Sequence, residues 1–298
     1  MENSLLKHLT LNQRQVYDDS NHLTIDLDFS LIHYLCKKNM STFLFNEVVF
    51  GPVNSRRLGV SLGMNLLPVN RKICSFDCIY CECGLNGELG DSKGLMPTRE
   101  EVMQALDTKL KDMFKDNLKP DVITFAGNGE PTLHPEFKGI IDDTIELRNQ
   151  HCPKARIAVL SNASRLHKPD VVEALLKVDD NIQKLDSGLK ETILQLDQPN
   201  YPFDLNATIK QLAEFNGQVI IQTMFVAGEA NGQVINNNTK EDIKAWLLAL
   251  EQIKPQKVMI YTIERDTPYN SLKKVPLEEL KAIAKIVEDK GFTISVSG

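Results

Sequence analysis

The sequence lacks any apolar run near the roughly 20 residues that a membrane-spanning helix needs, and its first residues lack the apolar core of a secretory leader. It has six cysteines in 298 residues, too few for a disulfide scaffold in a chain this long. It also lacks an excess of basic residues, because its formal net charge is −6. These absences predict a cytoplasmic protein with no membrane association and argue against a nucleic-acid partner.

Two basic pairs stand close to the densest group of cysteines. Arg56-Arg57 precedes that group by some distance and Arg71-Lys72 adjoins it. Charged side chains are almost never fully buried unless they are paired. The sequence therefore favours ordinary solvated charge for all four side chains over a local anion-binding patch.

The cysteine group itself has a spacing with chemical meaning. Cys74, Cys78 and Cys81 form a C-x3-C-x2-C run, with Tyr80 just before the last cysteine. Thiolates are soft ligands that hold iron–sulfur clusters or zinc. Zinc usually takes four ligands, and the Cys81-x-Cys83 loop is too short for Cys83 to join the same centre comfortably. Three thiols on a four-iron cubane leave one iron open for a ligand, and the spacing alone leaves both kinds of centre possible.

Strands and helices alternate after the first 58 residues. A strand is predicted within Val60–Leu67, and the Thr98–Glu101 spacing predicts a capping box at the start of a helix. Further strands are predicted at 121–126, 156–160, 182–186, 218–226, 257–263 and 292–296, with helices between them. About six βα units predict a parallel sheet with outer helices. The pattern fits a partial barrel and a doubly wound open sheet equally well.

The motif Cys74–Cys81, followed by Gly-Asn-Gly-Glu-Pro at Gly127–Pro131, resembles the radical S-adenosylmethionine (SAM) enzymes. The resemblance extends from about Phe43 to Gly298 and implies a partial (β/α)6 barrel of the TIM type. It implies a [4Fe–4S] cluster on Cys74, Cys78 and Cys81, with SAM as the second cofactor. We therefore predict a core domain over residues 40–298 and an N-terminal extension of uncertain structure over residues 1–39.

The reactive groups of such barrels lie at the carboxyl ends of the strands, and the polar residues of this chain follow that rule. The resemblance assigns Gly127, Gly129 and Glu130 to the amino group of SAM, with Asn128 in place of the usual glycine. The whole expected cofactor-binding set is Tyr80, Gly127, Asn128, Gly129, Glu130, Ser161, Asn162, Lys184 and Gln222. No catalytic residue is assigned.

Lys184 has two possible roles. Alternation along a strand puts Lys184 and Asp186 on the same face, so both side chains are expected inside the barrel. Buried charges need partners, which favours a Lys–Asp ion pair. A contact from Lys184 to the SAM carboxylate is the other possibility, and the sequence does not choose between them.

The phrases Gly51–Gly59, Cys74–Cys81 and Gln222–Val226 resemble radical SAM proteins grouped with the wyosine-base synthases of transfer RNA. Those synthases need a second cluster with additional upstream cysteines, and here only Cys36 lies upstream. The predicted function is a radical SAM oxidoreductase or transferase that makes a 5′-deoxyadenosyl radical. Its substrate, small or macromolecular, is unassigned, and its electron donor is expected to be a flavodoxin or ferredoxin. The alternatives are a tRNA-modifying enzyme and a non-catalytic iron–sulfur or zinc module.

Overall fold

The computed structural model describes residues 43–55, 58–87 and 94–298, together with the backbone of two short upstream strands. The chain divides into two compact units, Met1–Met40 and Ser41–Gly298. In the first unit, β1 (Val16–Tyr17) pairs antiparallel with β2 (Leu23–Thr24). Otherwise the predicted extension, Cys36 and the Arg56-Arg57 pair lie outside the described residues. The domain boundary after residue 39 stays a prediction.

One sheet organises the second unit. Its strands are β3 (Val49–Ser55), β4 (Gly59–Met64), β5 (Val122–Phe125), β6 (Arg156–Ser161), β7 (Asp180–Lys184), β8 (Ile220–Ala230), β9 (Gln233–Asn236), β10 (Lys257–Thr262), β11 (Lys273–Lys274) and β12 (Ile294–Ser297). Along the sheet the order is β12-β10-β8-β7-β6-β5-β4-β3, with β9 and β11 paired to β8. Pairing is parallel from β4 through to β12, and β3 is antiparallel to β4.

Seven helices connect and cover the strands. They are α1 (Arg99–Lys115), α2 (Phe137–His151), α3 (Pro169–Leu175), α4 (Lys190–Leu196), α5 (Leu205–Ala213), α6 (Lys240–Ile253) and α7 (Leu277–Asp289), counted within the described residues. The parallel strands are added to the sheet in chain order, so the sheet curls in one sense instead of reversing at a switch point. The predicted partial (β/α)6-type barrel is confirmed, and the doubly wound alternative is not observed.

Side-chain alternation separates the two faces of the curled sheet. Leu62 on β4 and Ile123 on β5 pack outward in the main core beneath the helices. The neighbouring Ser61 and Thr124 point to the inner face, where their hydroxyl oxygens lie 2.8 Å apart. A separate apolar cluster is formed by Val122, Ala158, Ile182, Ile220 and Met259. These residues sit on neighbouring strands of the same inner face, which closes the barrel interior with apolar side chains.

Three differences from the sequence prediction affect the site. β3 was missed, because Gly51 and Pro52 interrupt its pattern and the register shifts there. β7 ends at Lys184 rather than at Asp186, so Asp186 belongs to the following loop. The short helix α4 was also missed; α3 is equally short, but Pro169 at its first position marks its start.

Candidate active site

The cysteine loop, residues 72–86, follows β4 and is paired to the segment that follows β5. The Ile73 amide donates to the Asn128 carbonyl (2.9 Å), and the Glu130 amide donates to the Ile73 carbonyl (3.1 Å). Gly129 lies between these bonds at a φ of 133°. A β-carbon there would stand 1.8 Å from the Ile73 oxygen, so only glycine allows the two segments to meet.

A second set of bonds shapes the loop from within. Asn86 accepts a hydrogen bond from the Cys74 amide (3.0 Å) and donates to the Cys74 carbonyl (3.0 Å). Its backbone amide donates to the Asp77 carboxylate at 2.7 Å. One asparagine therefore closes the loop on itself, much as a backbone turn would.

A third set of bonds joins the loop to the segment after α4. The amides of Asp77 and Ile79 donate to the carbonyls of Asp197 (3.0 Å) and Leu196 (2.9 Å). The Asn200 side chain donates to the Cys74 carbonyl at 3.0 Å. The cysteine loop is thus held by protein on several sides.

Lys72 corrects the prediction of solvated charge, because it is 4% exposed. Its ammonium donates to the Gly84 carbonyl (2.9 Å) and lies 3.4 Å from Asp77 Oδ1. Burial acts to lower the pKa of Lys72, but the nearby thiols of Cys81, Cys74 and Cys78 raise it above its ordinary value. A buried ammonium thus lies near all three predicted ligands, where it can balance thiolate charge.

The thiols themselves differ in acidity. Burial raises the pKa of Cys74 to about 12 and raises that of Cys78 well above its ordinary value. A hydrogen bond from the Cys83 thiol is the main cause that lowers the pKa of Cys81 to about 6, and Lys72 adds to the effect. The Cys83 sulfur also lies 3.4 Å from the Gly127 carbonyl oxygen. Cys83 therefore acts here as a hydrogen-bond donor beside the three-cysteine set.

Glu130 and Asn162 connect the ends of β5 and β6 to the cysteine loop. Glu130 accepts hydrogen bonds from the Thr132 hydroxyl (2.6 Å) and from the Asn162 amide (2.6 Å). Burial raises the pKa of the Glu130 carboxyl. The Asn162 side chain donates to Ser75 Oγ (2.9 Å) and lies 3.5 Å from Cys74 Sγ. Ser161, also buried, accepts from the Ala163 amide.

The Asn128 side chain is hydrogen-bonded to other parts of the chain, at Phe45 and Pro68. Its side chain bonds the Phe45 amide (2.9 Å), the Phe45 carbonyl (2.8 Å) and the Pro68 carbonyl (2.9 Å). A β-carbon on Gly127 would stand 2.4 Å from Asn65 Oδ1. Both residues therefore have structural contacts that explain them, and their predicted SAM contacts stay predictions.

Lys184 forms the ion pair that the sequence offered as one alternative. Its ammonium contacts Asp186 and lies 3.0 Å from Asp197 Oδ1. The Tyr80 hydroxyl donates to Asp186 and lies 3.3 Å from Asp197 Oδ1. Burial tends to lower the pKa of Lys184, but the two carboxylates raise it well above its ordinary value. Burial also tends to raise the pKa of Asp197, and the Lys184 ammonium opposes that rise.

Two adjoining cavities open beside this network. The smaller, of about 220 Å³, is lined by Tyr80, Cys81, Gln222, Met224 and Tyr261 among others. The larger, of about 680 Å³, has an aromatic wall of Phe43, Phe45 and Phe50. Glu82, Leu160 and Arg265 line both. The Arg265 guanidinium donates to the Glu82 carboxylate at 2.7 Å, which ties the cysteine loop to the end of β10.

The structure brings most of the expected residues together. Tyr80 and Gln222 line one cavity, Glu130, Ser161 and Asn162 form one hydrogen-bonded set, and Lys184 contacts Tyr80. Sequence reasoning missed four residues that hold the site: Lys72, Asn86, Asp197 and Asn237, whose side chain donates to the Asp186 carbonyl. Asn86 and Asp197 carry no local signal, because their contacts are made by a loop and by a short helix end. The expectation that a buried lysine needs carboxylate partners is the one clue that pointed towards Asp197.

The donor set fits an iron–sulfur cluster. It offers three thiols, one of them acidic, with a buried ammonium nearby and Asn162 beside Cys74. In the part of the chain that the structure describes, no three His, Cys, Asp or Glu side chains are arranged around a single metal ion. A cluster binds each thiol through a separate iron, whereas structural zinc needs about four ligands on one ion. Three thiols match the number of protein ligands on a cluster with one open iron, and are one fewer than structural zinc usually takes.

Comparison with known proteins agrees with this chemistry. Residues 72–186 match the Radical SAM superfamily. A UPF0026 protein of Helicobacter pylori is 30% identical over 240 residues, covering 78% of this chain and 72% of that protein. A protein of Brachyspira hyodysenteriae named GTPase Obg is 31% identical over 244 residues, covering 80% of this chain. The chain spans 33% of the length of that longer relative. The GTPase name therefore describes that relative and not this chain.

Solved structures share the fold at low sequence identity. A radical SAM methyltransferase from Sphaerobacter thermophilus superposes with a TM-score of 0.59 at 13% identity, covering 80% of this chain and 65% of that one. Streptococcus suis SuiB bound to S-adenosylmethionine gives 0.56 at 16% identity, covering 99% of this chain and 60% of that one. The chain therefore belongs to the UPF0026 group, and its residues 72–186 match the Radical SAM superfamily.

Proposed function

We propose that this chain is a radical SAM enzyme whose Cys74, Cys78 and Cys81 hold a [4Fe–4S] cluster. The observation that carries the proposal is the position of Cys81, which belongs to the three-thiol set and also lines the smaller cavity. A ligand in that cavity would be next to the cluster. Held by the three thiols, the cluster would supply the electron that splits SAM into methionine and a 5′-deoxyadenosyl radical.

The chain's own residues orient the cofactors and shield the chemistry. Lys72 places one positive charge beside the thiols, and Asn86 and Gly129 fix the loop that carries them. Tyr80, Gln222 and Tyr261 form walls of the smaller cavity, which we assign to SAM. The remaining predicted contacts, from Gly127, Glu130, Ser161 and Asn162, belong to the same proposal.

The larger cavity is the proposed substrate site. It meets the smaller one at Glu82, Leu160 and Arg265, and Cys81 lines only the smaller one. A substrate there would be on the far side of SAM from the thiols. The apolar side chains that line this cavity would limit the access of water to a reactive intermediate. We also propose a flavodoxin or ferredoxin as electron donor, and a cytoplasmic location. In the described part of the chain, no helix is long and apolar enough to cross a membrane.

The test is anaerobic reconstitution with iron and sulfide, followed by dithionite and SAM, with 5′-deoxyadenosine as the measured product. We expect broad visible absorbance from the cluster and product that depends on it. A variant with Cys74, Cys78 and Cys81 all changed to alanine should lose both. Cys152→Ala is the matched control, because Cys152 directly follows α2 and is buried in the main core.

The outcomes separate the alternatives. Product formation by the triple variant would overturn the cluster assignment. Zinc in place of iron, with no visible absorbance, would favour the non-catalytic metal module. Binding of transfer RNA that weakens steeply with salt would favour the tRNA-modifying enzyme.

A further inference from the structure

Three buried charges meet behind the cysteine loop. Lys184 lies at the end of β7, Asp186 two residues later, and Asp197 at the end of α4. Each of the two carboxylate side chains is 1% exposed. The Lys184 ammonium contacts both carboxylates, so its positive charge is paired with them. A buried ion needs such partners, and breaking the set by removing one member is costly.

Two parts of the Tyr80 side chain, its hydroxyl and its ring, contact this group of charged residues. Its hydroxyl donates to Asp186 and lies 3.3 Å from Asp197 Oδ1. The Lys184 ammonium stands 4.5 Å from the centre of the Tyr80 ring. Hydrogen bonds to ionised groups are about twice as strong as those between neutral groups. The hydroxyl is therefore a strong anchor for the residue that directly precedes Cys81.

The carboxylates are in turn fixed to the barrel. Asp186 accepts a hydrogen bond from the Met224 amide on β8 (2.9 Å). The buried Asn237 side chain donates to the Asp186 carbonyl (2.9 Å) and to the Met224 carbonyl (2.7 Å). The Asp197 carbonyl accepts from the Asp77 amide at 3.0 Å. The anchor point of Tyr80 is thus connected to β7, β8 and α4 at once.

We propose that Asp186 and Asp197 are positioning residues, which act through the Tyr80 hydroxyl to fix the turn from Cys78 to Cys81. That turn is closed by a bond from the Cys81 amide to the Cys78 carbonyl (3.0 Å). In this role Lys184 is the counter-ion of the carboxylates and not a ligand of SAM. The role of this turn in holding a cluster rests on the proposed function. The contact between Tyr80 and the two carboxylates does not.

The first test uses Tyr80→Phe, which keeps the ring and removes only the anchor. In cluster-free protein we expect hydrogen–deuterium exchange at the amides of Asp77, Ile79 and Cys81 to become roughly tenfold faster or more, given the strength of a bond to a charged group. Tyr269→Phe is the matched control, because Tyr269 packs against the same apolar cluster as Tyr80 but its hydroxyl bonds Asn231 at 2.8 Å. Unchanged exchange in Tyr80→Phe would overturn the inference whether or not the protein binds a cluster.

The second test asks whether the contact serves the cofactor. Reconstituted wild type, Tyr80→Phe, Asp197→Asn and the double variant are compared by the change that SAM causes in the electron paramagnetic resonance spectrum of the reduced cluster. We expect each single variant to need roughly tenfold more SAM for half of the change, and the double variant to need no more than the worse single one. A purely structural role would lower thermal stability and leave the SAM titration unchanged. Additive losses, or a Tyr80→Phe titration equal to wild type, would contradict the proposal.

Discussion

At the scale of single residues, the site depends on positions where one side chain, or its absence, decides the contact. Gly129 needs both a positive φ and the missing β-carbon. Asn128, where related sequences are expected to have glycine, instead bonds Phe45 and Pro68 with every polar atom of its side chain. The same short segment therefore contains a residue that must be small and one that must be polar.

Replacing Gly129 with alanine should separate the cysteine loop from the segment after β5. The β-carbon would stand 1.8 Å from the Ile73 oxygen at a φ of 133°. We expect a loss of roughly 2 kcal/mol or more in the free energy of unfolding, measured by urea denaturation. Less iron should also be retained on reconstitution, because the loop carries the thiols.

The control for this change is Gly232→Ala, in the turn between β8 and β9. Gly232 also has a positive φ, 73°, but nothing lies within 4 Å of a β-carbon there. We expect about 1 kcal/mol from the backbone conformation alone. Equal losses at the two positions would show that the contact with Ile73 contributes nothing.

The residues that sequence reasoning identified are those whose role is local. The three cysteines and Tyr80 are recognisable from spacing, and the Lys184–Asp186 pair was one of two stated possibilities. Asp197 and Asn86 were missed because their partners are brought close only by the fold. Lys72 was assigned to solvent wrongly, since its buried position depends on the loop closing around it.

At the scale of elements, the start of a helix could be predicted where the sequence contains residues that cap it. The capping box at Thr98 is confirmed: the Glu101 amide donates to the Thr98 hydroxyl (3.2 Å), and the Thr98 amide donates to the Glu101 carboxylate (2.7 Å). α4 has neither a side-chain cap nor a proline at its first position and was not predicted, whereas α3 also lacks a cap but begins at Pro169. β3 was also missed, because its pairing with β4 is irregular between Phe50 and Val53.

Thr98→Ala tests how much that cap contributes to α1. It removes the acceptor for the Glu101 amide and one side of the reciprocal pair, so we expect a loss of about 1 kcal/mol in the free energy of unfolding. Gln104→Ala on the same helix is the comparison, because the Gln104 side chain donates one exposed hydrogen bond, to the Glu100 carboxylate 3.1 Å away. It should change stability by less than about 0.5 kcal/mol. A Thr98→Ala variant as stable as Gln104→Ala would contradict the assignment.

At the scale of the whole molecule, strand order was predictable and cavity shape was not. Repeated βα units with short connections require neighbouring parallel strands, and the sheet order follows the chain. The choice of a curled sheet over an open one came from family resemblance. The division of the interior into two cavities depends on Glu82, Leu160 and Arg265, which three separate segments supply.

Binding of SAM should stabilise the whole core unit if the cavity beside Cys81 receives it. At a free concentration one hundred times its Kd, a ligand adds about 2.7 kcal/mol to the free energy of unfolding. For a chain of this size we expect Tm to rise by several degrees. The measurement is differential scanning calorimetry of reconstituted protein under anaerobic conditions.

The comparison protein is the variant with Cys74, Cys78 and Cys81 changed to alanine. It has no thiols to hold the cluster, so SAM should raise its Tm much less. An equal rise in both proteins would mean that SAM binds independently of these cysteines.

The cysteine loop is held by the backbone of Asn128 and Glu130 on either side of Gly129, by Asn86 and by the end of α4, all through hydrogen bonds within the chain. The polypeptide itself therefore specifies much of the shape of the loop. Iron–sulfur centres with an exposed iron are chemically fragile, and a loop that collapsed on losing one would have to refold before each repair. If the loop holds the proposed cluster, this hydrogen-bonded frame would let the chain lose the cluster to oxidation and take up another without refolding the loop.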